Sequence, residues 1–128
     1  NVIDKFPFAY AANATDVGDI TVARYYCSGQ SSTVSGYSSA GQNSSATVFN
    51  TIDKFPFATN ANATDYGDLT EYARSAAGQS SSTHGYRTGG NVNPPGANSN
   101  VIDKFPFASV VPATTVGVTR IPLFAIVA

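Results

Sequence analysis

Ile3-Asp4-Lys5-Phe6-Pro7-Phe8-Ala9 returns unaltered as Ile52 to Ala58 and again as Ile102 to Ala108. The copies start 49 and then 50 residues apart, long enough for one complete supersecondary unit per repeat and too regular for chance. Alternation sets Val2, Asp4, Phe6 and Phe8 on one face of an extended strand and Ile3, Lys5 and Pro7 on the other. Two phenylalanines on one face anchor a core, so Phe6, Phe8, Phe55, Phe57, Phe105 and Phe107 are the expected buried residues. Proline has no backbone N–H, which puts Pro7, Pro56 and Pro106 at a strand end, a bulge or a sheet edge. The motif reads as a short strand that stops at or near its proline.

Around this motif the composition favours β structure throughout. Thr, Val, Tyr and Phe are frequent, Gly, Ser and Asn fill the gaps, and no helix period is evident. The 128 residues carry a formal net charge of -1, and only 12% are charged. Seven Lys plus Arg among eight acids make no basic stripe, so no nucleic-acid partner is expected. The longest apolar run, Ile121 to Ala128, is too short to span a bilayer, and no membrane insertion is expected. Cys27 is the only cysteine, which excludes an internal disulfide or a cysteine metal cluster. Met is absent, which points to a processed chain or a portion of something longer.

Taken in order, the repeats fall at 1–50, 51–100 and 101–128, the last partial and divergent. Asp16-Val17-Gly18-Asp19 reads as a tight turn, with Ile20 to Arg24 alternating after it like a second strand. Asp65 to Arg74 repeats that order. Gly29 to Thr33 with Gly36-Tyr37, and Gly78 to Thr83 with Gly85-Tyr86, read as two further short strands, giving about four per repeat. Gln42 to Asn50 and Asn91 to Asn100 differ in sequence, as exposed loops do. In the third copy Thr115 and Val118 replace the two aspartates. Its tail, Ile121 to Val127, is apolar enough to require a partner surface.

This order of elements resembles the kelch repeat of β-propellers. Gly89-Gly90, the loop to Asn100, Ile102-Asp103 and, from the preceding unit, Leu69 to Ala73-Arg74 match it, as does the period of about 50 residues. The family's tryptophan is missing and the first doublet reads Ala40-Gly41; Phe55 and Phe57 are candidates to fill the tryptophan's space. The resemblance implies half a blade at the start and two full blades after it, too few to close a ring. A parallel β-solenoid is the competing architecture. The wording of the repeat, Lys-Phe-Pro-Phe-Ala followed by Asn-Ala-Thr-Asp-x-Gly-Asp and a later Gly-Tyr, is similar to tandem repeats in structural proteins of tailed bacteriophages. That likeness implies a virion or extracellular location and a place in a fibre, tail or filament.

Each candidate site has a plainer competing role. Asp16, Asp19, Asp65 and Asp68 crowd oxygen ligands around Gly18 and Gly67, and Ca2+ favours such loops. The competing role is a turn whose Asx side chains bond local N–H groups, and no cofactor is expected. His84 and Cys27 read as a strand residue and a small apolar filler. Asp4, Asp53 and Asp103 recur, so they should share a structural task, a turn bond or a pair with Arg24 or Arg74. Asn13, Asn43 and Asn62 fit the N-glycosylation pattern.

The function expected is non-catalytic and structural, with other copies of the chain or further virion proteins as partners. An open array leaves the strand Val2 to Phe8 unpaired, and joining it to the apolar tail of another copy would give a ring or filament. The binding alternative is a propeller that recognises a host surface glycan or protein through loop residues such as Gln42, Asn43, Asn91 and Asn93. A kelch-type enzyme is the third reading; copper chemistry would want converging His and Tyr ligands, and one histidine is too few.

Overall fold

A computed structural model describes residues 1–123, and over these the protein is all-β, with twelve strands and no helix. A two-stranded first sheet pairs β1 (Val2–Lys5) with β2 (Thr15–Asp19). The second sheet is the meander β3 (Ser28–Ser31), β4 (Ser35–Ser39), β5 (Thr51–Pro56) and β6 (Thr64–Asp68). Short β7 (Ala73–Arg74) precedes the third sheet, which repeats that order in β8 (Ala77–Ser80), β9 (His84–Thr88), β11 (Ala97–Pro106) and β12 (Thr114–Leu123). Between β9 and β11, β10 (Asn91–Val92) joins β7 to the start of β11.

Every named ladder is antiparallel, which removes the parallel solenoid. Each large sheet crosses a boundary between sequence repeats: the repeated motif is the third strand of a sheet, and its first two strands come from the preceding repeat. The first sheet holds only the equivalents of β5 and β6. As expected of a residue without an N–H, Pro56 and Pro106 end their strands.

The Asp-x-Gly-Asp segments correct the sequence reading. Thr15–Asp19 and Thr64–Asp68 are strands, and no strand covers Ile20 to Arg24. The ladder shifts register between Ile3 and Asp4, between Ile52 and Asp53, and between Ile102 and Asp103, so Val17, Tyr66 and Val116 are each one residue extra, a β-bulge. Asp16 Oδ1 accepts from Gly18 N at 3.0 Å and Asp65 Oδ1 from Gly67 N at 3.1 Å. The aspartate supplies the bond that the bulge withholds, so the chain runs on as a strand where Asp and Gly alone suggested a turn.

The core lies between the second and third sheets. Tyr37 and Tyr66 from one face meet Phe105 from the other, with ring centroids 5.6 and 6.4 Å apart, and Phe107 stacks on Tyr37 at 4.8 Å. The Tyr66 hydroxyl lies 2.9 and 2.8 Å from the carbonyl oxygens of Pro106 and Ser109, which satisfies its polar end. On the ladder, Gly36 stands opposite Phe55 and Gly85 opposite Phe105. A Cβ at either glycine would collide with the phenylalanine ring lying over it. Gly85→Val is therefore expected to destabilise the fold by about 1–3 kcal/mol through overpacking, read as a lower urea midpoint; an unchanged midpoint would show that the ring does not lie there.

Burial of the six phenylalanines is graded, against the expectation that all would be covered. Phe105 is fully buried and Phe107 partly so, whereas Phe57 is 43% exposed, Phe6 58% and Phe8 94%. Phe105 and Phe107 pack on the complete four-stranded sheet before them, Phe55 and Phe57 face only the two-stranded first sheet, and Phe6 and Phe8 have no earlier sheet among the described residues. Of the apolar tail, Ile121 is exposed on β12; the stretch from residue 124 lies outside the described residues.

Candidate functional site

The joints between sheets carry the buried charge. Asp53, wholly buried in β5, accepts from the backbone N of Thr21 at 3.0 Å, from Thr21 Oγ1 at 2.7 Å and from Arg24 Nη2 at 3.1 Å. Asp103, its equivalent in β11, accepts from Thr70 N at 3.1 Å, Thr70 Oγ1 at 2.6 Å and Arg87 Nη2 at 2.8 Å. In both cases the threonine just after one sheet's last strand is bound to the third strand of the next. Backbone bonds add to each joint, from Ala63 N to Asp19 O and from Ala113 N to Asp68 O, both at 2.8 Å. A buried carboxylate is tolerable because a cation and two or more donors surround it. Asp4 occupies the same place in the first sheet and is exposed.

One partner differs from the sequence reading. Arg24 pairs with Asp53 as expected, but Arg74 does not reach Asp103. Arg74 instead donates through Nη1 to Gln42 Oε1 and through Nε to Asn91 Oδ1 at 3.4 Å. Arg87 takes the carboxylate because it stands directly across the ladder from Asp103, where the second sheet has Ser38. Glu71 Oε2 accepts a further bond from the same Nη2 at 3.0 Å. The signal was present in the sequence as the one cation in the Gly-Tyr strand, but its value depended on knowing the register.

Two of the loop residues assigned to recognition are thereby withdrawn from the surface. Gln42 and Asn91 are buried around the Arg74 guanidinium, and a ligand outside the chain would not touch them. Asn43 caps the backbone of Ser45 and Thr47 through Oδ1, at 3.0 and 2.9 Å. Asn93 is exposed. The oxygen-rich segments are similarly engaged, since Asp16 and Asp65 bond their bulge glycines and Asn62 Oδ1 accepts from Asp19 N at 3.0 Å. Among the described residues no three His, Cys, Asp or Glu side chains come together as a metal site. His84 Nδ1 bonds Thr83 Oγ1 at 2.8 Å, and Cys27 Sγ packs beside Gly41.

An aromatic slot forms the other part of the joint. Lys54 Nζ lies 5.0 Å over the Tyr66 ring and 5.9 Å over that of Tyr37, a cation–π arrangement. Burial raises the Tyr37 hydroxyl above its ordinary 10.0, and the neighbouring Tyr66 raises it further; burial does the same to Tyr66. Below pH 10 both tyrosines are neutral in the folded and the unfolded chain. Above it the unfolded chain releases protons that the folded chain still holds, so stability falls as pH rises through that range. The Tyr37→Phe/Tyr66→Phe double variant is expected to lose less stability than the parent between pH 9 and about 11, measured by urea unfolding at each pH; equal losses would place the ionising groups elsewhere.

At the first joint the slot is empty. A cavity of about 490 Å³ opens between the first and second sheets, lined among others by Lys5, Phe6, Phe8, Val17, Phe55 and Phe57. Among the described residues no helix is long and apolar enough to cross a membrane. In comparisons with known proteins, no family model matches this chain and no curated protein matches it.

Proposed function

We propose that this is a non-catalytic structural protein whose sheets are kelch-like propeller blades, assembled with other copies of the chain or further virion proteins into a fibre, tail or extracellular filament. The observation that carries the reading is the use of Asp53 and Asp103: these two recurrent carboxylates, which an enzyme would need free, each hold the threonine that follows the preceding sheet and pair with a buried arginine. A joint that repeats along the chain is a device for extending an array. The order of strands in the second and third sheets supports the blade assignment. The likeness of the repeat's wording to phage structural proteins supplies the virion setting. Sedimentation and low-resolution imaging of the native protein test it. Rings or filaments built of many copies are expected, and a compact monomer across the micromolar range would overturn the reading.

A further inference from the structure

Arg24 and Arg87 face carboxylates, whereas among the described residues Arg74 has no acid beside it and is held by two buried amides, Gln42 and Asn91. Gln42 is fixed in its turn, since its Nε2 donates to the Tyr25 hydroxyl at 2.7 Å while its Oε1 accepts from Arg74 Nη1. Asn91 Oδ1 takes the Nε–H at 3.4 Å. Nη2 makes no bond among the described residues and stays open to solvent. Together with the outer N–H of Nη1 it forms the end-on fork that takes both oxygens of a carboxylate.

Register decides what surrounds that fork. Arg74 stands opposite Asn91 and Ala73 opposite Val92, and the bond from Asn93 N to Tyr72 O at 3.2 Å carries the pairing on by one residue. From β11, Asn98 stands opposite Asn91. Alternation then puts Tyr72, Arg74, Asn91, Asn93 and Asn98 on one face of the ladder, with buried Ala73 and the core-packed Val92 on the other. Tyr72, Asn93 and Asn98 are exposed. We infer that this face binds an acidic saccharide, with the Arg74 fork on the sugar's carboxylate, the Tyr72 ring against its apolar side and the Asn93 and Asn98 amides on its hydroxyls. Amides both donate and accept, as hydroxyls do, and tyrosine beside asparagine joins a large contact area to adaptable hydrogen bonding. An acidic peptide strand fits less well, because β10 has β7 on one edge and β11 on the other and offers no main-chain edge to pair with. Gln42 and Asn91 are positioning residues that hold the guanidinium from beneath. The inference goes beyond the structural role, since it gives the array a ligand.

Titration calorimetry of the full chain with trigalacturonic acid tests this, with galactotriose as the neutral control and a glutamate tripeptide as the acidic one. Saturable binding of the acidic sugar is expected, weakened about tenfold or more by Arg74→Gln and by Arg74→Lys, which keeps the charge and loses the fork. Tyr72→Ala and Asn93→Ala alter exposed side chains, so each should weaken binding by about threefold to tenfold with the urea midpoint unchanged. These two variants keep the test decisive where an Arg74 variant fails to fold. Four outcomes overturn the inference: no saturation by the acidic sugar in the millimolar range, equal binding of the neutral sugar, equal binding of the peptide, or full affinity in folded Arg74→Lys and Tyr72→Ala chains. Binding is read per chain and not on assembly mass, so the inference and the structural role fail separately.

Discussion

Asp103→Ala is expected to lower folding stability by about 3–5 kcal/mol, the range for removing one partner of a buried ion pair, while Asp4→Ala stays within about 0.5 kcal/mol. The two residues occupy the same position of the same motif, so propensity and strand register are held constant. What differs is the joint. Removing the Asp103 carboxylate leaves the Arg87 guanidinium buried with Glu71 as its remaining carboxylate, and leaves the N–H and hydroxyl of Thr70 without their acceptor. Glu71 remains as a partner and sets the loss toward the lower end of the range, and its partial exposure screens that pairing and limits the relief. Urea unfolding of the two variants checks the difference. Equal midpoints would show that the tie contributes nothing net.

Asp53→Ala belongs with Asp103, though its geometry is less complete. Arg24 Nη2 donates to both Asp53 and the carbonyl of Ser38, at 3.1 Å each, while its Nε and Nη1 are buried without a partner among the described residues. A guanidinium already short of acceptors gains more from its one carboxylate than it would in a full network, and loses more without it. The joints are therefore alike in layout and unequal in how well the cation is satisfied.

The strand motif was legible because its signals are local. Alternation fixes the face, and proline fixes the end. The four-strand count and the half sheet at the start could likewise be read from the spacing of Gly-Tyr and Phe-Pro-Phe. Asp16 to Asp19 was misread because the same residues that make turns also repair a bulge; which they do depends on the register against the motif strand before them, where Asp16 stands opposite Asp4 and Asp65 opposite Asp53. Arg87 was missed for a related reason. Its importance comes from standing across a ladder from Asp103, a fact of register, while Arg74 carried the more obvious sequence parallel with Arg24. Gln42 and Asn91 were placed on exposed loops because those loops vary between repeats, whereas the two are equivalent positions of successive repeats and both are buried against the Arg74 guanidinium.

Phe105→Ala is expected to cost about 3–5 kcal/mol, because it removes a fully buried aromatic ring and leaves a cavity between Tyr37, Tyr66 and Gly85. The same change at Phe8, 94% exposed, should alter stability by no more than about 0.5 kcal/mol. Phe55→Ala should fall between them, since its ring covers Gly36 on one side and borders the open cavity on the other. Phe55 and Phe105 occupy the same position of the motif, so the difference between them is set by the sheet beneath each ring. Thermal unfolding of the Phe55, Phe8 and Phe105 variants measures the ordering. A Phe105→Ala midpoint no lower than that of Phe8→Ala would mean that the ring between the second and third sheets is not the anchor of the fold.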